Sequence, residues 1–127
     1  MRDPELLKRA TALWREAYGH QMQGDLERAI ELYQRSIDVY PTAEAHTFLG
    51  WTLSFQGRLE EAIPWLEKAK RAPRSEPRQF PYMNLGRIHL RQGHWWEALR
   101  EFEAAVRLAP DDVELRKTLH SLRARLN

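Results

Sequence analysis

One short pattern recurs three times along this chain and limits what the chain can fold into. It reads GDLERAIELYQRSI from Gly24, GRLEEAIPWLEKAK from Gly57 and GHWWEALREFEAAV from Gly93. In each copy an alanine stands five residues after the glycine, and an apolar residue directly follows that alanine. The glycines are 33 and then 36 residues apart. A period of this length is typical of stacked helix pairs and not of a single globular core.

Glycine and proline separate segments whose apolar residues recur every three to four positions, which indicates helices. Asp3-Pro4 supplies an N-cap and a proline at the first helical position, where the missing N–H costs nothing. We expect Asp111 to cap the last helix. The predicted helices cover residues 4–23, 26–39, 43–56, 59–72, 79–92, 95–108 and about 111–126.

Small residues recur where the two helices of each predicted pair would cross. A bulky side chain at such a crossing would force the helices apart, at a cost of about 1–3 kcal/mol from overpacking. These positions are Ala17, Gly50 and Gly86 on the first helices and Ala29, Ala62 and Ala98 on the second helices.

These positions resemble the tetratricopeptide repeat, a helix pair of roughly 34 residues. The resemblance implies an all-α fold: a right-handed α-solenoid of three antiparallel helix pairs and a C-terminal capping helix, in one domain over residues 1–127. His120 departs from the pattern, because the family has glycine or alanine there. The matching residues are Leu13, Ala17, Gly24, Ala29, Tyr33 and Pro41 in repeat one (10–42), Leu49, Gly50, Gly57, Ala62, Leu66 and Ala69 in repeat two (43–78), and Tyr82, Leu85, Gly86, Gly93, Ala98, Phe102, Ala105 and Pro110 in repeat three (79–112).

The loop between the second and third pairs departs from the family pattern in length and composition. Repeat two is two residues longer than the family unit, and Pro73, Pro77 and Pro81 follow one another closely. Because such prolines cannot occupy a helix interior, we expect an extended, semi-rigid loop here.

The composition argues against catalysis and against metal or cofactor binding. The chain has no cysteine, so it cannot form a disulfide or a thiolate site. It has no glycine-rich phosphate loop and no His-Glu-x-x-His motif. His20 and His89 occupy a half-buried repeat position and are interpreted as packing residues, while His46, His94 and His120 fall on three different elements. We therefore predict a protein that is not an enzyme and has no cofactor and no metal.

The net charge and the N-terminal segment limit which partners and which cellular location we expect. The net charge of +2 is mild, and acidic and basic residues are mixed along the helices, which does not favour a nucleic-acid partner. The first residues lack the unbroken apolar stretch of a signal peptide or a membrane span. The sequence therefore predicts a cytoplasmic protein with no membrane association.

The family resemblance implies that the first helix of each pair lines a concave groove that holds the ligand. Gln21 and Thr47 are among the residues that we expect to face this groove, together with the larger set at the end of this paragraph. Several are large aromatic or arginine residues, the usual anchors of binding sites. Trp14 and Phe48 have an alternative role, packing between adjacent first helices. The predicted groove residues are Trp14, Tyr18, Phe48, Trp51, Phe55, Phe80, Met83, Asn84, Arg87 and Arg91.

One version of the family grips the acidic C-terminal tails of heat-shock chaperones with a clamp of lysine and asparagine. Trp14, Tyr18 and Phe48 occupy clamp positions here, so the clamp is not present. The sequence instead favours an adaptor that binds an apolar peptide or amphipathic helix, with an acidic end near Arg87 and Arg91.

Two alternatives remain open at this point. Basic residues near the proline-rich loop, together with aromatics, are also typical of proteins that bind RNA or other single-stranded nucleic acids. A self-associating scaffold is the other alternative, and we expect a monomer or a weak homodimer. Trp65 and Trp96, on the outer side of second helices, would either contact a second copy or cover a neighbouring loop. The basic residues are Lys68, Lys70, Arg71, Arg74 and Arg78.

Overall fold

The structure, a computed structural model, describes residues 3–72 and 77–127. Within those residues it contains seven α-helices and no strand, which confirms the predicted all-α fold. The helices are α1 (Pro4–Met22), α2 (Leu26–Val39), α3 (Ala43–Phe55), α4 (Leu59–Arg71), α5 (Phe80–Arg91), α6 (Trp95–Leu108) and α7 (Val113–Leu126).

Acidic side chains begin several of these helices. Asp3 accepts a hydrogen bond from the Glu5 N–H at 2.9 Å, and Pro4 follows it as the first helical residue. Asp25 accepts one from the Arg28 N–H at 3.3 Å at the start of α2. Each carboxylate satisfies an N–H that has no partner inside the helix, which is why these helices begin where they do.

The prediction that Asp111 caps the last helix is wrong. Asp112 is the cap, and its carboxylate accepts the Leu115 N–H at 3.1 Å. An N-cap side chain reaches the N–H of the third helical residue, and the helix begins at Val113. Two adjacent aspartates satisfy the same sequence pattern, so only the backbone geometry distinguishes them.

The recurring glycines form the turns between paired helices. Gly24, Gly57 and Gly93 have φ values of 84°, 76° and 78°, in the left-handed region. Residues with a Cβ atom are strained in that region, whereas glycine is not. After the last of these glycines, the His94 N–H donates back to the His89 carbonyl at 2.8 Å. This hydrogen bond ends α5 in the manner of a glycine C-cap.

The chain divides into two compact units, residues 1–75 and residues 76–127. In the first unit α1 packs on α2, α2 on α3 and α3 on α4. In the second unit α5 packs on α6, and α6 packs on α7. The single continuous domain over residues 1–127 stays a prediction.

The predicted loop between the units falls largely outside the described residues, because Pro73 lies among residues 73–76. The assignment of Pro81 to that loop is wrong. Pro81 is buried and is the second residue of α5. Proline is tolerated in the first helical turn, since its missing N–H would have no partner there.

The paired helices approach most closely at the small residues. A Cβ atom built on Gly50 would lie 2.5 Å from the Leu66 Cγ atom, and one built on Gly86 would lie 2.8 Å from the Phe102 ring. In the first pair, Ser36 donates a hydrogen bond from its hydroxyl to the Ala10 carbonyl at 2.6 Å. The contacts at Gly50 and Gly86 confirm the predicted close crossings of the second and third pairs, and the Ser36 bond shows that α1 and α2 also approach closely.

No helix within residues 3–72 and 77–127 combines the length and the apolar composition needed to cross a membrane.

Gly50→Ala should lower the free energy of unfolding by about 1–3 kcal/mol, because the added methyl group would overlap the Leu66 side chain. The matched control is Gly19→Ala in α1, where nothing lies within 4 Å of the added Cβ atom. The free energy of unfolding of Gly19→Ala should rise by up to about 1 kcal/mol, because alanine has a higher helix propensity than glycine. Urea denaturation of both variants provides the measurement. Equal stabilities would contradict the close crossing.

Candidate functional site

An aromatic cluster centred on Phe48 joins the first three helices. Its ring centroid lies 5.6 Å from Trp14 and 5.4 Å from Tyr18, both on α1. It lies 6.0 Å from Tyr33 on α2 and 6.2 Å from Trp51, one turn along α3. Aromatic rings at these separations attract each other beyond the area that they bury. Phe48 therefore holds α1, α2 and α3 together.

The cluster extends from the core to the solvent. Tyr33 is fully buried, and Phe48 and Trp51 are half-buried. At the outer end Tyr18 is 38% exposed and Phe55 is 57% exposed, and the Phe55 ring lies 4.9 Å from Trp51. The same set of rings thus provides packing at one end and an accessible apolar surface at the other.

A buried polar group lies beneath these rings. The Gln21 side-chain oxygen accepts hydrogen bonds from the Tyr33 hydroxyl at 2.6 Å and from the Thr52 hydroxyl at 2.8 Å. Burial raises the pKa of Tyr33 well above its ordinary value, and the nearby Tyr18 raises it further. The phenol therefore stays protonated and donates. Removing one partner would leave a buried polar atom unsatisfied, so this group fixes α1, α2 and α3 in one arrangement.

The placement of Gln21 and Thr47 in the groove is wrong. Both residues are buried. Gln21 uses its side-chain oxygen within the core, and Thr47 donates its hydroxyl to the Ala43 carbonyl at 2.9 Å. A polar side chain can satisfy itself inside a helix pair, so its polarity alone does not place it in solvent.

The other predicted groove residues lie on α5 in the second unit. Phe80 is 37% exposed and Met83 packs against the core of that unit. Asn84 donates from its amide to the Phe80 carbonyl at 3.0 Å, while Arg87 and Arg91 are exposed. The structure groups five predicted residues in each unit. A single groove that joins both sets stays a prediction.

The two outer tryptophans differ. Trp65 is half-buried, with its ring 5.9 Å from the His46 ring and the Lys68 ammonium 4.8 Å from its centroid. It therefore covers a neighbouring side chain. Trp96 is 57% exposed. Trp95 was not among the predicted surface aromatics, yet it is 39% exposed and its ring lies 5.8 Å from the Arg125 guanidinium.

His46 is buried in a specific hydrogen-bonding arrangement. Its Nδ1 atom lies 2.6 Å from the Thr42 carbonyl, which can only accept, so Nδ1 carries the proton. Burial lowers the pKa of His46, and the nearby Lys68 lowers it further, while the bond to Thr42 acts in the opposite direction. The sequence showed only an isolated histidine, because the partners come from the backbone and from another helix.

The described residues form no candidate metal site, and part of the predicted basic cluster is already paired. No group of three or more histidine, aspartate and glutamate residues in the described ranges could hold a metal ion. In the basic cluster, Lys68 lies over the Trp65 ring and Lys70 pairs with Glu67 at 3.3 Å. Arg74 falls outside the described residues. Lys68 and Lys70 are therefore already engaged within the protein.

Sequence models of the tetratricopeptide repeat match residues 8–75 and residues 80–112. No curated protein matches the chain.

Several solved structures share the fold. The first tetratricopeptide domain of Spaghetti (RPAP3), bound to the HSP90 peptide SRMEEVD, has a TM-score of 0.85 at 20% identity, covering 94% of both chains. The N-terminal domain of stress-induced protein-1 (STI-1) from C. elegans has a TM-score of 0.84 at 18% identity, covering 95% of this chain and 99% of that one. The Arabidopsis OM64 domain has a TM-score of 0.85 at 14% identity, with coverages of 94% and 98%. At these identities the likeness shows the fold alone.

Phe48→Ala should lower the free energy of unfolding by about 2–4 kcal/mol, since it removes the ring that contacts α1 and α2. Phe55→Ala, in the same helix but 57% exposed, should change it by less than about 1 kcal/mol. Urea denaturation followed by circular dichroism separates the two. Equal losses would show that Phe48 does not hold α1, α2 and α3 together.

Stability should fall on acidification through the ordinary pKa of histidine, about 6.5. Burial lowers the pKa of His46 in the folded protein and so disfavours its charged form there. Below the ordinary pKa, the unfolded chain therefore binds a proton at this residue more readily than the folded chain does, and acid favours unfolding. Urea denaturation at pH 7.5 and at pH 5.5 measures the decrease in the free energy of unfolding. This decrease should be smaller in His46→Asn than in the parent. His120→Asn, at an exposed site, controls for the removal of a histidine. An unchanged loss in His46→Asn would exclude this cause.

Proposed function

The chain belongs to the tetratricopeptide repeat family, and on that premise we propose that it is a non-catalytic adaptor that binds a peptide segment of a partner protein. The observation that carries the proposal is the exposed end of the aromatic cluster. Tyr18 and Phe55 present large apolar rings to solvent beside the half-buried Trp51. Exposed aromatic side chains that rest on a rigid core are typical anchors for a partner.

The ligand at this surface is a mostly apolar segment. In Spaghetti (RPAP3), the structurally similar domain binds an acidic HSP90 peptide. This chain has Trp14, Tyr18 and Phe48 where the carboxylate clamp has lysine and asparagine, and their rings form one cluster. Aromatic faces favour apolar side chains of the ligand, which lose water on binding. A leucine, methionine or aromatic residue of the partner would therefore supply the main contact.

An acidic end of the same ligand would lie near α5. Arg87 and Arg91 are exposed on that helix. The Asn84 amide donates to the Phe80 carbonyl. A guanidinium can form two charge-assisted hydrogen bonds with a carboxylate, so the arginines are the stronger candidates for the acidic end. An acidic end of the ligand near α5 stays a prediction. The cytoplasmic location and the monomeric or weakly dimeric state likewise stay predictions.

Phe55→Ala should weaken ligand binding at least about tenfold, since truncation of an aromatic anchor typically costs 2 kcal/mol or more. The probe is the tightest peptide that the full chain selects from a random displayed library, and isothermal titration measures its affinity. Trp96→Ala is the matched control, because Trp96 is equally exposed at 57% and lies on α6. Trp51→Ala and Arg87→Ala then test the two ends of the site.

Three outcomes would contradict the proposal. Selected peptides that bind Phe55→Ala and Trp51→Ala as tightly as the parent would remove the aromatic site. Salt-dependent retention on single-stranded RNA, lost in the same variants, would assign the rings to base stacking. A mass that rises with concentration in light scattering, and that falls in Trp51→Ala, would show that a second copy fills the surface.

A further inference from the structure

The second unit contains an open groove of about 730 Å³ along α7 and the adjoining part of α6. Its apolar part consists of Val106, Val113 and Leu119, and 49% of Val113 is exposed. Leu115 and Leu122 hold α7 in the core of this unit together with Phe102. The groove therefore lies on the surface of this core, with the buried core residue Leu119 in its floor, and it shares no residue with the aromatic cluster. Its polar lining consists of Arg116, Lys117, His120, Ser121 and Arg123.

The groove is positively charged, and its own chain neutralises it only in part. Arg123 pairs with Glu103 at 3.0 Å. Lys117 lies 3.9 Å from Glu114, and both side chains are largely in solvent, so this pair contributes little. Within the described residues, the Arg116 guanidinium has no hydrogen bond or ion pair, although the Arg116 backbone N–H donates to the Asp112 carbonyl at 3.1 Å. None of the lining residues is acidic.

We propose that this groove binds an acidic peptide segment that carries aliphatic side chains. Carboxylates of the ligand would pair with Arg116 and Lys117, and a leucine or valine would cover Val106 and Val113. The charge requires an acidic partner, and the aliphatic floor requires apolar side chains between the acidic ones. No tryptophan, tyrosine or phenylalanine lines the groove, so it lacks the large aromatic side chains on which the bases of a single-stranded nucleic acid typically stack.

The ligand is extended in this groove. In the repeat, His120 occupies the position of Gly50 and Gly86, at which a partner helix crosses closely. Even a Cβ atom at Gly50 would come within 2.5 Å of the Leu66 side chain of its partner helix. The imidazole of His120 is much larger, so a helix cannot lie against α7 at that distance. An extended chain, which is narrower than a helix, fits beside it.

The test uses the full chain and a short fluorescein-labelled peptide of glutamate and serine with two central leucines. Arg116→Glu/Lys117→Glu should weaken binding at least about tenfold in fluorescence anisotropy. Glutamate is favourable near the N-terminal end of a helix, so α7 should stay folded. Arg35→Glu/Arg100→Glu is the control, because it reverses two exposed charges outside the groove. Trp51→Ala should bind as the parent does.

The ligand chemistry is tested with two altered peptides and an RNA competitor. Replacing glutamate with glutamine, or leucine with serine, should each weaken binding at least about fivefold. Equal affinity of the glutamine peptide, or of the doubly reversed variant, would overturn the proposal. Displacement of the labelled peptide by single-stranded RNA, but not by unlabelled peptide without leucine, would also overturn it in favour of a nucleic-acid site. Loss of binding in the control double variant would show nonspecific attraction only.

Discussion

The close crossing of paired helices is the constraint on which the rest of this structure depends. At Gly50 and Gly86 there is no room for even one methyl group, because side chains of the partner helix, Leu66 and Phe102, occupy that space. In the first pair, α1 and α2 also lie close enough for the Ser36 hydroxyl to donate to the Ala10 carbonyl. Helices packed at this distance bury large neighbouring side chains completely, and native cores require that density. The glycine turns are secondary, since they only return the chain to the crossing.

The aromatic cluster shows how one set of residues combines stability with recognition. Phe48 contacts rings on α1 and α2. The buried hydrogen bonds that Gln21 accepts from Tyr33 and Thr52 fix the same three helices. The outer rings therefore rest on a rigid base, so a ligand would not have to order them on binding. The α6–α7 groove differs in chemistry, because its floor is aliphatic and its rim is cationic. The two proposed surfaces would accordingly select different segments.

The predictability of the site varied with residue type. Tyr18 and Phe55 are exposed as the family pattern implies, because their positions follow from helical periodicity. Gln21 and Thr47 share that periodicity, yet both are buried and satisfied by partners inside the helix pairs. The interaction of His46 with Trp65 was not predictable either, since it joins residues of two helices. The helical period predicts on which side of a helix a residue lies. The hydrogen-bond partner of that residue depends on which helices pack together in the folded protein.

The sequence by itself determined the seven helices, the glycine turns and the small residues at the crossings. Each of these depends on short-range geometry: the helical period, the φ value that glycine permits and the volume of one side chain. The tertiary structure decided which of two adjacent aspartates caps α7, which aromatic rings are buried, and that the Arg116 guanidinium has no partner beside the apolar floor of the groove. Those outcomes depend on distances between helices, which set burial and charge pairing, and no local pattern in the sequence encodes them.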